Sequence, residues 1–222
     1  MIMGNIEVKI EYLYNSGFAV ETKNYFLVFD YWKEEEGGDI SCRFPEGKKV
    51  VVFASHSHGD HYNPVVLHWR EKRPGIEYVL SSEIRPRAEG EGIHRMSRYR
   101  ELEIDGLYVK TFGSTDIGVS FLVKADGLTI FHAGDLNWWD WYDETEDNNR
   151  AMEAKFKREI ARIKGEKIDI AFFPVDPRLR DSYRLGADYF MAEIGPEYLI
   201  PMHYGDNTFV RNEFPDSARF GR

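Results

Sequence analysis

VVVFASHSHGDH (residues 50–61) decides how the rest of this 222-residue chain is read. It opens on five apolar residues, Val50, Val51, Val52, Phe53 and Ala54, a run that predicts a strand buried on both faces. It then breaks into Ser55-His56-Ser57-His58-Gly59-Asp60-His61, so three imidazoles and a carboxylate follow directly on the end of a buried strand. Gly59 permits the sharp turn the chain needs there. Imidazole nitrogen and carboxylate oxygen are preferred ligands of zinc and its neighbours in the first transition row. Loops at strand ends are also where sites collect.

The whole chain limits what can surround that loop. Its length allows one substantial core, and 15 Phe, 13 Tyr and 5 Trp can fill it although 30% of the residues are charged. A net charge of -9 argues against a protein that grips a phosphate backbone, so no nucleic-acid partner is expected. The one cysteine, Cys42, excludes an intramolecular disulfide and reads as a small buried residue. No apolar run approaches the length of a membrane span, and the opening MIMGNIEVKIEY lacks the basic and apolar segments of a signal peptide. A soluble, cytoplasmic protein with no membrane partner is expected.

Taken in order, Ile6, Val8 and Ile10 alternate with charged residues as in a half-buried strand. Residues 18–22 and 25–30 read as two more strands, and KEEEGG (residues 33–38) as a solvated loop. Asn63-Pro64 opens a short helix with Val65, Val66, Leu67 and Trp69 on an apolar face. Residues 78–81 form a strand, whereas residues 83–98 show little period and His94 reads as a surface residue. A second series of strands follows at 102–104, 107–112, 119–123 and 128–131, with Asp105-Gly106 and Asp126-Gly127 as hairpin turns. Met152, Phe156, Ile160 and Ile163 recur at helical spacing, residues 168–174 are another buried strand, 187–194 a helix and 198–201 a last strand. The tail, residues 205–222, carries no clear pattern and would either lack order or pack on a neighbouring copy, leaving a homo-oligomer open. Both halves thus run from meandering strands into helix–strand units, and composition alone gives α/β or α+β.

Two further segments end strands in ligand-type residues. Thr129-Ile130-Phe131-His132-Ala133-Gly134-Asp135 ends in a carboxylate, and Ile200-Pro201-Met202-His203 in an imidazole. With His-x-His-x-Asp-His at 56–61, these resemble the motifs of the metallo-β-lactamase superfamily over most of the chain. GSTDIGVSFLV, IFHAGDLNWW, AFFPVDPR and IPMHY are similar to small metal-dependent hydrolases of the L-ascorbate-6-phosphate lactonase branch. The resemblance implies an α/β fold, a four-layer αββα sandwich of two mixed β-sheets flanked by helices, as a single domain over residues 1–222. It implies that His56 and His58 bind a first metal, that Asp60, His61 and His203 bind a second, and that Asp135 bridges them. It implies Zn2+, one ion or two, with Mn2+ or Fe2+ also accepted, and a catalytic role for Asp60 in orienting the attacking water.

The chain departs from the pattern at residues 111–118, where the family supplies a third histidine for the first metal. Here the segment reads TFGSTDIG, and Asp116 could replace the imidazole, or Ser114 or Thr115 could hold a water. The first position would then be weaker and less selective for zinc. His132 would face away from Asp135 by strand alternation and reads as a core or supporting residue. His58 stands where oxygen- and nitric-oxide-reducing relatives carry Glu, which argues against that redox branch. Trp138, Trp139 and Trp141 could wall a cleft. Arg178 could hold an anionic substrate group and Tyr204 could donate to an oxyanion. The function expected is hydrolysis, by a metal-activated water, of a small ester, lactone or phosphodiester, either anionic or neutral. The alternatives are a phosphodiesterase or nuclease of the same fold, and a metal-binding protein without turnover.

Overall fold

The computed structural model describes residues 2–3, 6–85, 89–207 and 210. In chain order the strands are β1 (Ile2–Met3), β2 (Ile6–Glu7), β3 (Lys9–Tyr14), β4 (Gly17–Glu21), β5 (Tyr25–Phe29) and β6 (Lys49–Ala54). The short helix α1 (Trp69–Lys72) precedes β7 (Glu77–Ser81), β8 (Ile93–Met96), β9 (Glu101–Ile104), β10 (Leu107–Phe112), β11 (Ser120–Ala125) and β12 (Leu128–His132). Helix α2 (Glu146–Ile163), β13 (Ile170–Pro174), α3 (Leu185–Glu193) and β14 (Tyr198–Met202) complete the order.

Strands β3 to β8 pair in sequence order as one six-stranded sheet, and β9 to β14 do the same as a second. In the first sheet β3, β4 and β5 meander antiparallel and β5 to β8 run parallel. In the second, β9 to β12 meander and β12 to β14 run parallel. Each half therefore changes from hairpins to crossovers, and only the parallel parts need helices on their outer faces.

The strand at the centre of the first sheet shows why its sequence has no polar alternation. Val51 and Phe53 of β6 enter the core between the sheets, whereas Val50, Val52 and Ala54 enter the outer layer beneath α1 and the 3-10 helix Ile40–Arg43. Between the sheets Phe18 meets Phe172 at 4.3 Å and Phe53 meets Phe121 at 5.4 Å, ring centre to ring centre. On the far side Phe156 and Ile160 of α2 and Phe190 of α3 pack on the second sheet. The result is the expected four-layer αββα sandwich of two mixed sheets. No helix among the described residues is long and apolar enough to cross a membrane.

Local signals account for the element ends. Thr145 caps α2 by accepting the Asn148 N–H at 3.3 Å. Both residues of Asp105-Gly106 and of Asp126-Gly127 have positive φ, as tight hairpin turns require. Three expectations are corrected. Residues 64–68 wind as a 3-10 helix before the single α turn of α1, closed by bonds three residues apart, from the Val66 N–H to the Asn63 carbonyl at 3.1 Å and from the Trp69 N–H to the Val66 carbonyl. The featureless segment 83–98 contains β8, an edge strand with only Met96 fully buried, so no two-residue hydrophobic period marks it. Cys42 is exposed, since it lies on the outer side of a 3-10 turn whose Ile40 and Ser41 face inward. Of the tail, residues 208–209 and 211–222 lie outside the described residues, and its expected disorder or packing on a copy falls there.

Candidate metal centre

The carboxyl ends of the parallel strands of both sheets meet at one edge of the sandwich, where open α/β sheets place their ligands. Strand β6 delivers Ser55 to His61, β12 delivers Asp135, β13 delivers Asp176 and β14 delivers His203. Strand β5 delivers Asp30, which sequence reasoning did not single out. Its signal was present in YFLVFD, a carboxylate closing a wholly apolar strand.

Asp30 is fully buried and committed to three donors. Its Oδ1 accepts the Ser55 N–H at 2.7 Å, and its Oδ2 accepts the Ser55 hydroxyl at 2.6 Å and His61 Nδ1–H at 2.7 Å. Because the Ser55 proton goes to Asp30, the 2.9 Å contact from Ser55 Oγ to His56 must carry the proton of His56 Nδ1. His203 in turn gives its Nδ1–H to Asp176 Oδ2 at 3.0 Å. Three imidazoles are thus fixed through Nδ1, and each turns Nε2 toward Asp135. Carboxylates behind histidine ligands set ring orientation and tautomer in this way.

Asp135 sits at the centre. Its Oδ2 lies 3.2 Å from His56 Nε2 and 4.0 Å from His58 Nδ1, while its Oδ1 lies 3.0 Å from His61 Nε2 and 3.4 Å from His203 Nε2. Two groups with mutually close ligand atoms result: His56, His58 and Asp135, and Asp60, His61 and His203. Asp60 Oδ2 is 3.7 Å from His61 Nε2 and 3.8 Å from His203 Nε2. All six residues named from the sequence as ligands are brought together, from three separate stretches of chain.

Charge in this cluster is strongly coupled. Burial raises the Asp135 pKa, but His61, His56 and His203 outweigh it and hold the carboxyl well below its ordinary range. Burial lowers the His61 pKa, yet Asp135 and Asp30 outweigh that and raise it well above 6.5. Asp30 is likewise lowered by His132 and His61 against the cost of burial. His132 is the exception: burial dominates and lowers its pKa. It donates Nε2–H to the Ser16 carbonyl at 2.8 Å, accepts the Gly134 N–H on Nδ1, and stacks on Phe29. It is a core residue behind the cluster.

The segment lacking a histidine stays at a distance. Asp116 Oδ2 is 3.8 Å from His58 Nδ1, on the open side of the first group and half exposed. Thr115 is committed elsewhere, its hydroxyl donating to the Asn137 carbonyl at 2.7 Å and accepting the Asn137 N–H. Ser114 Oγ accepts the Asp116 N–H at 3.2 Å.

The cluster opens into a cleft with two lobes that share Asp60, Arg178 and His203. The larger, about 370 Å³, is walled by Trp139, Trp141 and Met152, with Asp116 at its rim. The smaller, about 270 Å³, is walled by Tyr14, Trp32 and Tyr204. Trp138 does not reach the cleft but packs on Phe156 and Tyr189. Trp139 Nε1 donates to the Asp135 carbonyl at 3.1 Å, which ties the wall to the cluster. Arg178 grips Asp176 through Nε and Nη2 and stands over the Trp141 ring at 5.7 Å. Tyr204 stacks on Tyr12 with ring centres 5.3 Å apart.

With fold and geometry in place, the relatives can be compared. The model of the β-lactamase superfamily domain matches residues 9–139, more than half of the chain. A UPF0173 metal-dependent hydrolase of Pyrococcus furiosus is 25% identical over 212 residues, 89% of this chain and 84% of that protein. The metallo hydrolase Igni18 of Ignicoccus hospitalis superposes with a TM-score of 0.59 at 18% identity, covering 89% of this chain and 83% of that one. The metallo-β-lactamase fold protein YhfI of Bacillus subtilis superposes with a TM-score of 0.62 at 12% identity, covering 94% and 90%. The chain therefore belongs to the β-lactamase superfamily domain family, and it is a hydrolase of the metallo-β-lactamase fold.

Proposed function

We propose that the chain is a metal-dependent hydrolase of a small anionic ester, lactone or phosphodiester. His56, His58 and Asp135 would hold one divalent cation, and Asp60, His61 and His203 would hold a second, with Asp135 shared between them. The observation that carries this is a pair of orphaned atoms. His61 Nε2 and Asp135 Oδ1 are buried without a hydrogen-bond partner, although only 3.0 Å separates them. Buried polar atoms left unpaired are costly, and two lone-pair donors converging on one point suit a cation. Imidazole and carboxylate together favour Zn2+, and the first group, with three donors, also accepts Mn2+ or Fe2+.

Such a cation, when bound, would bring the pKa of a water toward neutrality and polarise the electrophilic oxygen of the substrate. The residues supply the rest. Asp60, the partly exposed member of its group, orients the attacking water and takes its proton. Arg178 keeps one edge of its guanidinium on Asp176 and offers the other to an anionic substrate group in the cleft. Tyr204 contacts the substrate in the smaller lobe. The two lobes taken together fall in the size range of small-molecule sites, which with the net charge of -9 favours a metabolite over nucleic acid. We read residues 1–222 as one domain acting in the cytoplasm.

Metal analysis combined with a panel of lactones, esters and phosphodiesters tests this reading. Hydrolysis of at least one class, abolished by chelator and by His61→Ala, is expected. Tight metal binding without turnover of any class would instead favour the metal-binding alternative, which the missing third histidine of the first group keeps in play.

A further inference from the structure

We propose that Asn15 is a positioning residue that locks the second ligand group together from outside it. This rests on the reading of Asp60, His61 and His203 as one such group.

The three members are not held equally. His61 is anchored by Asp30, and His203 by Asp176 through its ring. Asp60 lies on an open loop with its side chain partly exposed, and Asn15 is the residue that reaches it: Nδ2 donates to Asp60 Oδ2 at 3.1 Å. That same oxygen faces His61 Nε2 and His203 Nε2. The backbone of His203 needs holding as well, because its φ of 65° is a left-handed conformation that a histidine rarely adopts. Asn15 holds it on two sides. The Asn15 carbonyl accepts the His203 N–H at 3.0 Å, and Asn15 Oδ1 accepts the Gly205 N–H at 3.3 Å.

The amide is therefore oriented by its own bonds, oxygen toward an N–H and nitrogen toward a carboxylate. Asn15 itself has a φ of 53°, which asparagine tolerates, and it is nearly buried. Tyr12 Oη braces the assembly by accepting the Asn15 N–H at 2.8 Å and donating to the Gly205 carbonyl at 3.2 Å. One residue in the turn between β3 and β4 thus sets the distance between a partly exposed carboxylate and a strained histidine nearly two hundred positions away.

Two variants separate this role from support of the fold. Asn15→Asp keeps the left-handed backbone, the carbonyl and an acceptor for Gly205, but replaces the donor to Asp60 with a repelling oxygen. Asn15→Gly keeps only the backbone. Metal-free protein is titrated with Zn2+ and the two equivalents are resolved by calorimetry, with melting temperature recorded alongside. One equivalent is expected to weaken about 10- to 100-fold in both variants, the size of effect seen when a group supporting a ligand is lost, while the other is unchanged. Where a substrate is in hand, kcat falls with KM little altered. Wild-type affinity for both equivalents in either folded variant overturns the proposal. Equal weakening of both equivalents, or failure of both variants to fold, also overturns it, because Asn15 would then be a general prop. If the wild-type protein takes up no second equivalent, the underlying assignment of the ligand group fails first. If it takes up two and the folded variants bind both with wild-type affinity, only the role of Asn15 fails.

Discussion

Removing the Asp30 carboxylate should cost more than removing any ligand in front of it. Asp30 is fully buried, and Asp30→Ala strands the Ser55 N–H, the Ser55 hydroxyl and His61 Nδ1–H at once. A buried donor left unsatisfied costs about 1–3 kcal/mol, and breaking a buried charged pair about 3–5 kcal/mol. Relaxation around a small cavity and entry of water keep the terms from adding, so about 3–5 kcal/mol is expected, out of a total stability on the order of 5–15 kcal/mol. For a chain of this size the melting temperature would fall by about 10 °C. Asp30→Asn should cost less, because its oxygen can still accept from Ser55, but its amide N–H then faces His61. Both variants should also weaken the metal held with His61 by about 10- to 100-fold, since the ring loses what fixes its tautomer. Urea melts of the metal-free protein measure the first effect and zinc titration the second. A metal-free Asp30→Ala protein within about 1 kcal/mol of wild type would refute the placement of Asp30 at the base of the cluster.

Three other perturbations follow from the same geometry. In metal-free protein the raised His61 pKa contributes stability that is complete below about pH 6.5 and lost as pH rises through the folded value, whereas the lowered Asp135 and Asp30 pKa values contribute stability present above about 3.8 and lost only on strong acidification. Chelator-treated protein should therefore lose melting temperature between neutral and alkaline pH, and metal uptake in buffered calorimetry should release a proton, whereas a chelated protein that gained stability over that range would contradict the His61 assignment. A side chain at Gly118 would lie 2.1 Å from the Ser55 carbonyl and 2.6 Å from His56 Cβ, at a φ of 76°, so Gly118→Ala should destabilise by well over 1 kcal/mol in urea melts and weaken the metal held by His56 before the one held by His203. Arg178→Ala should abolish competitive inhibition by inorganic phosphate while leaving zinc stoichiometry intact, read from an inhibition series on any hydrolysed ester.

Much of this was legible in the chain because the relevant signals are local. A β-branched run closed by His-x-His-x-Asp-His needs no tertiary information, and Asp-Gly pairs fix hairpins through backbone sterics alone. The periodic face of α2 was equally local. What escaped depends on neighbours far along the chain. Strand β8 is held by parallel pairing with β7, a contact between residues such as Tyr78 and Ile93 that leaves no period in 83–98. Cys42 was assigned to the interior by its residue type, whereas the side of a 3-10 turn that faces water is set by Ile40 docking beneath the first sheet. Asp30 and Asp176 stand in recognisable stretches, YFLVFD and AFFPVDPR, but their roles consist of what they touch, which no local pattern states. The resemblance carried the six positions proposed as ligands but not the residues that hydrogen-bond to them, Asn15 and Asp30.

The pairing of the two halves explains why those supporting groups stand where they do. In each sheet the parallel strands point their carboxyl ends toward the same edge, and a strand that is apolar on both faces can place a polar side chain only once it leaves the sheet. Asp30, Ser55, Asp135, Asp176 and His203 are each within a few residues of such an exit. Asp30, Ser55 and Asp176, close behind the exit, are buried and act on histidine rings. Those farther along the loops, His58, Asp60 and Asp116, are the more exposed and face the cleft. Depth behind the sheet edge thus sorts rigid support from groups that must remain accessible to substrate. It follows that exchanging a deep group should disturb stability and metal affinity together. Exchanging a shallow one such as Asp116 should alter catalysis or metal selectivity at nearly unchanged melting temperature.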